Sequence, residues 1–292
     1  MYELIQVAEN SYYMDCPAKV GICAFPDGTA VTVDSGSDKD AGRRVLRLLE
    51  GLGLRLKAIL VTHSNADHIG GNAFLQARTG CRIYANGVEA AMTRFTELGP
   101  AFIYGGYPFS ELRQKFLLAK PSDVLPVTDP GFPEGFEIIP LPGHFFDMVG
   151  YRTPDDVVYL ADCLFSRETL DKYGVPFVYD VGRFFETLDR VEAMEARAFV
   201  PAHAPAAEDI RDLVRYNRQK IAEAGERILD ACAEPVSFED ILKSLFDGYG
   251  IALNYTQYAL VGNTLRSFLS WLKDAGRITG EFTDNRLYWR RI

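Results

Sequence analysis

What is scarce in this 292-residue chain narrows it first. Cysteine is sparse: Cys16, Cys23, Cys81, Cys163 and Cys232 are an odd, scattered set with no CxxC pair. That pattern argues against a disulfide framework and a structural zinc knuckle, and it points to a reducing compartment, the cytoplasm. No apolar run approaches the ~18 residues that a membrane helix needs, so no membrane partner is expected. The opening MYELIQVAEN has no basic region followed by an apolar stretch, so no secretory signal is expected either. Internal repeats and low-complexity linkers are absent. Net positive charge is absent too: the balance is −9, a field that opposes nucleic acid and favours small-molecule substrates. Nucleic acid is thereby disfavoured, although a local basic patch would restore it. Histidine is also rare, with only His63, His68, His144 and His203.

Against these absences, hydrophobic residues make up 48% and charged residues 24%, ordinary usage for a globular chain long enough for one large core and a small appendage. Strand and helix patterns alternate. YELIQVAENSYYMD, KVGICAF and AVTVDSG read as strands, and LKAILVT as a buried one ending at His63. Between them Val45, Leu48, Leu49 and Leu52 form a stripe at helical spacing. GGNAFLQARTG restarts a helix, CRIYA is a strand, and another helix begins near Val88. Residues 96–121 crowd Gly, Pro and aromatics together and read as an insertion or lid. DVLPVT, FEIIPLPG and DVVYLAD are strand-like, a helix covers about 182–196, and AFVPAHAP is a last strand and loop.

The four histidines share one placement. LVTHSNADHIGGN, residues 60–72, puts His63, Asp67 and His68 just after an apolar strand. His144 follows an apolar strand in a Pro-Gly turn, Asp162 ends VVYLAD, and His203 ends AFVPAH. A single histidine after a strand is usually structural, and an aspartate there usually caps a turn. All four histidines so placed is a pattern that strand ends converging on one rim of a sheet explain. Imidazole and carboxylate are the donors that borderline divalent ions take. His63 and His68 stand at an odd spacing that alternates faces in a strand, so both serve one site only if a loop carries them.

THSNADHIGG resembles the THxHxDHxGG signature of the metallo-β-lactamase fold superfamily. VTVDSG, LPGHFFDMVGY, LADCLF and VPAHAP are similar to its other motifs, in the same order, over roughly residues 1–205. The resemblance implies an α/β fold, an αββα four-layer sandwich. It also implies two ions, most often Zn: His63, His144 and Asp162 at the first, and Asp67, His68, Asp162 and His203 at the second. Asp67 is then the residue that orients an acidified water and carries its proton. Asn65 stands where the family has a further histidine, which puts the first ion in question. Three outcomes stay open: Asn65 coordinates through its oxygen, shifting preference toward Fe or Mn; the first site is weak and one ion is held; or Asn65 hydrogen-bonds a water that fills the gap. Asp34 and Thr62 are candidates to hold a ligand histidine from behind. Asp147 is a candidate cap for the segment after His144, and Gly70 and Gly71 are expected to permit close packing of the following helix.

Tyr104, Tyr107 and Phe109 in the aromatic insertion, with Tyr173, are the candidate substrate wall, the alternative being a packed surface loop or a homodimer contact. From about residue 208 the texture changes to three helices and a hairpin around TDNR, the plan of a small α+β winged-helix-like module. Two domains are therefore expected, 1–207 and 208–292. From residue 236 onward there are seven Lys or Arg against six Asp or Glu, a balance poor for duplex binding. The expected function is a metal-dependent hydrolase acting on a small ester, thioester or related substrate. The alternatives are a single-strand endoribonuclease of similar two-part layout and a metal-weak, non-catalytic binding protein.

Overall fold

The computed structural model describes residues 2–292. The chain begins as an antiparallel meander, β1 (Glu3–Gln6), β2 (Ser11–Asp15), β3 (Val20–Ala24) and β4 (Thr29–Val33). It then alternates through α1 (Lys39–Gly51), β5 (Arg55–Leu60), α2 (Ala66–Ile69), α3 (Asn72–Thr79), β6 (Arg82–Ala85), α4 (Gly87–Arg94), α5 (Leu98–Tyr104) and β7 (Leu125–Pro126). These strands lie side by side in chain order as a seven-stranded sheet, parallel from β4 to β7. A second sheet follows, built from β8 (Glu137–Pro140), β9 (Val149–Arg152), β10 (Val157–Phe165) and, after α6 (Arg167–Tyr173) and α7 (Val181–Ala193), β11 (Ala198–His203). Its order is β11-β10-β9-β8, with β10 and β11 parallel. The tail comprises α8 (Arg211–Ala231), β12 (Val236–Ser237), α9 (Phe238–Tyr249), α10 (Tyr255–Asp274), β13 (Ile278–Thr283) and β14 (Arg286–Arg291).

Three apolar clusters set the layers. Val31, Val33, Ala58, Leu60 and Tyr84 of the first sheet meet Val149, Tyr151, Val157, Tyr159 and Val200 of the second, so the sheets pack face to face. The fit is close at Gly21, where a Cβ would lie 2.5 Å from the Tyr159 ring. The other face of the first sheet packs Ile22, Ile59 and Ile83 against Val45 and Leu49 of α1 and Leu75 of α3. Full burial of each such side chain contributes about 1.5–3 kcal/mol. The outer face of the second sheet joins Val158 and Leu160 to Phe184 of α7, Ile221 of α8, Ile241 of α9 and Phe268 of α10 in one core, so the tail packs on that sheet. The order is helix, sheet, sheet, helix.

Several local readings need correction. YELIQVAENSYYMD is two strands, because Val7 and Ala8 both donate to the Ser11 carbonyl and turn the chain back. The α1 stripe holds for Val45 and Leu49, but Leu52 is 40% exposed because it lies past the helix as its C-cap. β5 stops at Leu60, three residues before His63. Asp162 does not end its strand: β10 continues to Phe165. Ser237 caps the start of α9, its side chain accepting from the Asp240 N–H. The TDNR hairpin also forms, turning at Asp284 and Asn285 with φ of 51° and 59°. Among the described residues no helix is long and apolar enough to cross a membrane.

Candidate metal centre

Each polar side chain in question is delivered by a local device. β4 is followed at once by Asp34, which is buried with φ of 64°, a left-handed turn that aspartate tolerates better than most residues. β5 runs out into Thr62 and His63, and the short helix α2 then carries Asp67 and His68. That helix fits only because the next residues lack side chains. A Cβ on Gly70 would lie 2.2 Å from the Ser37 carbonyl oxygen, and one on Gly71 2.4 Å from that of Ser35. His144 sits in the β8–β9 turn after Gly143, whose φ is 123° and whose Cβ would strike the Phe184 backbone at 2.4 Å. On β10 the pairing with β11 slips around Ala161, a non-glycine residue at φ 51°, and this irregularity turns Asp162 out of the ladder. His203 is the last residue of β11.

All four imidazoles are committed the same way. His68 donates from Nδ1 to Asp34 Oδ2 at 2.8 Å. His63 donates from Nδ1 to the Thr62 hydroxyl at 3.1 Å, and that hydroxyl donates to the same Asp34 oxygen at 2.8 Å. His144 and His203 donate from Nδ1 to the carbonyls of Phe177 and Pro17, at 2.9 and 2.7 Å. With Nδ1 acting as donor, each Nε2 is left as a lone-pair donor for a cation, and all four converge on Asp162. Its Oδ2 lies 3.9, 3.6 and 3.2 Å from Nε2 of His63, His144 and His203, and its Oδ1 lies 3.1 Å from that of His68. Asp67 Oδ2 is 3.3 Å from His203 and 3.8 Å from His68. The donors divide into two sets, His63 with His144 and Asp162, and Asp67 with His68 and His203, each set mutually within 4.8 Å.

The electrostatics carry the mark of a missing positive charge. His63 Nε2, His68 Nε2 and Asp162 Oδ1 are buried and have no hydrogen-bond partner, although the last two are 3.1 Å apart. An unpaired buried polar atom costs about 1–3 kcal/mol, so three aimed at one space fit a cation that completes them. Burial opposes charge on His203, yet Asp162 and Asp67 raise its pKa to about 10. His68 is likewise pushed well up by Asp162, Asp67 and Asp34 against the pull of burial. Asp67 is held near 2 despite burial, by His68 and His203, and Asp162 well below its usual range, by His203 and His68. His63 and His144 go the other way, kept neutral chiefly by burial. Protons on His68 and His203 thus supply the positive charge that a cation would supply in their place.

Residues 16–203 match the family model described as the metallo-beta-lactamase superfamily. The chain belongs to that superfamily. A hydroxyacylglutathione hydrolase of Rhodopseudomonas palustris (strain BisB18) is 32% identical over 142 residues, 46% of this chain and 45% of the relative. Another, of Albidiferax ferrireducens, is 31% identical over 157 residues, 54% and 47% of the two chains. The chain thus spans about half the length of the curated relatives it matches. In fold, a beta-lactamase domain protein from Burkholderia ambifaria superposes with a TM-score of 0.74 at 18% identity, over 99% of this chain and 94% of that one. A metallo-beta-lactamase family protein from Thermus thermophilus gives 0.73 at 17% identity, over 98% and 100%.

Enzymes of the metallo-beta-lactamase superfamily bind divalent metals, usually zinc. Against that background Asn65 stands out. It caps α2 without a side-chain hydrogen bond to the helix, and instead its Nδ2 donates to His144 Nε2 at 3.1 Å. That nitrogen is the lone pair that would face a metal. A half-turn of the amide presents Oδ1 to the same space instead, a neutral oxygen in place of an N–H.

The candidate pocket residues do not act as one wall. Tyr104 and Phe109 pack edge-on at 5.2 Å, and Phe109 meets Tyr255 at 4.9 Å. Tyr104 and Phe109 line a cavity of about 510 Å³ with Leu253, Asn254, Tyr255 and Tyr258. Tyr107 does not line that cavity; it is 80% exposed and accepts from Arg113. Tyr173 also lies outside it, at the end of α6. No pattern of residue types signals the Phe177 and Pro17 carbonyls, because any residue carries one. Asp147 caps a different element from the one expected: its carboxylate accepts from the Val88 N–H at the start of α4, 2.8 Å away.

Proposed function

We propose that this chain is a metal-dependent hydrolase acting on a small ester or thioester. One observation carries the reading: four imidazoles with Nδ1 occupied present Nε2 to the two oxygens of a single buried aspartate, Asp162. His63, Asn65, His144 and Asp162 would hold one ion, and Asp67, His68, Asp162 and His203 a second, with Asp162 shared. The donor set of imidazole nitrogen and carboxylate oxygen suits zinc, while the amide oxygen of Asn65 moves the first site toward iron or manganese. Such an ion supplies a Lewis acid and brings the pKa of water from 15.7 to about 7.

The protein's own share is positional. Asp34 and Thr62 fix His63 and His68 in one tautomer, so the lone pairs need no reorganisation. Asp67, with a carboxyl held near 2, stays ionised at working pH; it orients a water and relays its proton rather than storing it. The relatives named hydroxyacylglutathione hydrolase support a thioester as the first substrate class to test.

Residues 208–292 we take as a winged-helix-like domain with β13–β14 as the wing and residues 1–207 as the metal-binding domain. The apolar packing of α8 to α10 on the second sheet and the balanced charge of the tail support a structural role there over duplex binding. Five free, buried thiols support a reducing compartment. The test is hydrolysis of a hydroxyacyl glutathione thioester, a nitrophenyl ester and a phosphodiester, each with and without chelator. Thioester or ester cleavage that chelator abolishes and zinc restores is expected; cleavage of none, by protein supplied with metal, overturns the reading.

A further inference from the structure

Helix α4 carries a carboxylate that the proposed chemistry does not use. Glu89 is fully buried. Its Oε2 accepts from the Ser64 backbone N–H at 2.9 Å and from the Ser64 hydroxyl at 2.7 Å, and its Oε1 accepts from the Asp147 backbone N–H at 3.0 Å. Ser64 stands between His63 and Asn65, and Asp147 lies three residues after His144. One carboxylate therefore joins the loop after β5, in the first sheet, to the β8–β9 turn, in the second. Asp147 returns the contact: its Oδ2 accepts from the Val88 N–H at 2.8 Å, and the Asn86 amide donates to its carbonyl at 3.2 Å. A Cβ at Gly87 would lie 2.1 Å from that Oδ2, so the Asp147 carboxylate occupies the place of a side chain. A backbone bond from Val149 to the Thr62 carbonyl, 3.0 Å, joins the same two segments on the other side of His63. His63 is thus bracketed by two ties, one of them a side chain.

We propose that Glu89 is a positioning residue for the metal centre, holding the His63–Asn65 loop and the His144 turn at the separation that a shared ion requires. The proposal rests on the metal-dependent reading above. All three partners of Glu89 are donors, so its function calls for an acceptor at both oxygens. Glutamine keeps the size but turns an N–H toward one donor, which breaks one arm of the clamp. Burial pushes the Glu89 carboxyl up to about 7 against these donors, which shows how deeply the group is enclosed.

The test is zinc affinity, measured by competition with a chromophoric chelator at pH 7.5 on wild type, Glu89→Gln, Ser64→Ala and Leu49→Ala. Leu49 is buried in α1, where its carbonyl accepts from the Leu54 N–H just before β5, the end of the strand away from His63. It serves as a control for general loss of stability. The expected result is a rise of about tenfold or more in the dissociation constant of the weakest-bound zinc for Glu89→Gln. A smaller rise is expected for Ser64→Ala, which removes one of the three bonds, and none for Leu49→Ala, although Leu49→Ala lowers the thermal midpoint. Wild-type affinity in Glu89→Gln overturns the proposal, as does an equal loss in Leu49→Ala. If Glu89→Gln does not fold, unchanged affinity in Ser64→Ala overturns it. A wild type that binds no zinc at all overturns the metal reading itself, and this proposal with it.

Discussion

Asn65 donates from Nδ2 to His144 Nε2 across 3.1 Å, so the residue that stands in place of a motif histidine occupies the lone pair of the histidine it would need as a co-ligand. An ion at His63 and His144 must displace that hydrogen bond and accept an amide oxygen in return. In the second set, Asp67, His68 and His203 with Asp162, no amide N–H points at a ligand nitrogen, and an ion there displaces only protons.

Asn65→His replaces this competing donor with an imidazole. Metal content per chain is expected to rise toward two, and the zinc affinity of the weaker site to rise with it. Elemental analysis finding equal metal in both proteins contradicts the idea that Asn65 weakens a site.

Asp34 collects the Thr62 N–H, the Thr62 hydroxyl and His68 Nδ1 on one buried carboxylate. Asparagine tolerates the left-handed backbone there but brings an N–H among donors. Asp34→Asn is expected to weaken zinc binding by about 10–100-fold. Chelator competition within about twofold of wild type would show that His68 needs no such partner.

Gly143 leaves no room for a side chain at a φ that disfavours one. Gly143→Ala is expected to destabilise the fold by about 2 kcal/mol or more and to displace His144. Urea unfolding of the metal-free protein checks the first effect, and a midpoint equal to wild type would mean that the turn relaxes around the methyl.

Glu89 has a folded-state pKa of about 7 against 4.5 for the free residue, raised by burial. The folded protein therefore keeps a proton that the unfolded chain releases, and stability falls as pH rises through that window. The loss is of order ~3 kcal/mol between pH ~4.5 and ~7. Glu89→Gln lacks this titration. Urea unfolding of both metal-free proteins at pH 5 and pH 8 should show the variant gaining on wild type at the higher pH; a constant difference would place the Glu89 pKa near its ordinary value.

The polar residues that follow apolar runs are legible in the sequence because the chemistry demands particular side chains there. His63, Asp67, His68, His144, Asp162 and His203 all stand out in this way, and the structure brings them together. The parts that stay hidden lack a side-chain signature. The Phe177 and Pro17 carbonyls that orient two histidines are backbone atoms, and the Ala161 irregularity that aims Asp162 depends on pairing with β11. Glu89 looks like an ordinary helix residue because its partners, Ser64 and Asp147, are distant in sequence. In fold, the alternation of strands and helices is readable, whereas the break in YELIQVAENSYYMD is marked only by the polar pair Glu9 and Asn10, with no Gly or Pro at the turn.

The most direct test of the metal centre is metal content of the purified protein by elemental analysis, with anomalous diffraction to place each ion. At least one equivalent of a divalent transition metal per chain is expected, with an anomalous peak beside Asp162 and His68. Protein that carries no metal, and takes up none when zinc is supplied, would contradict the account.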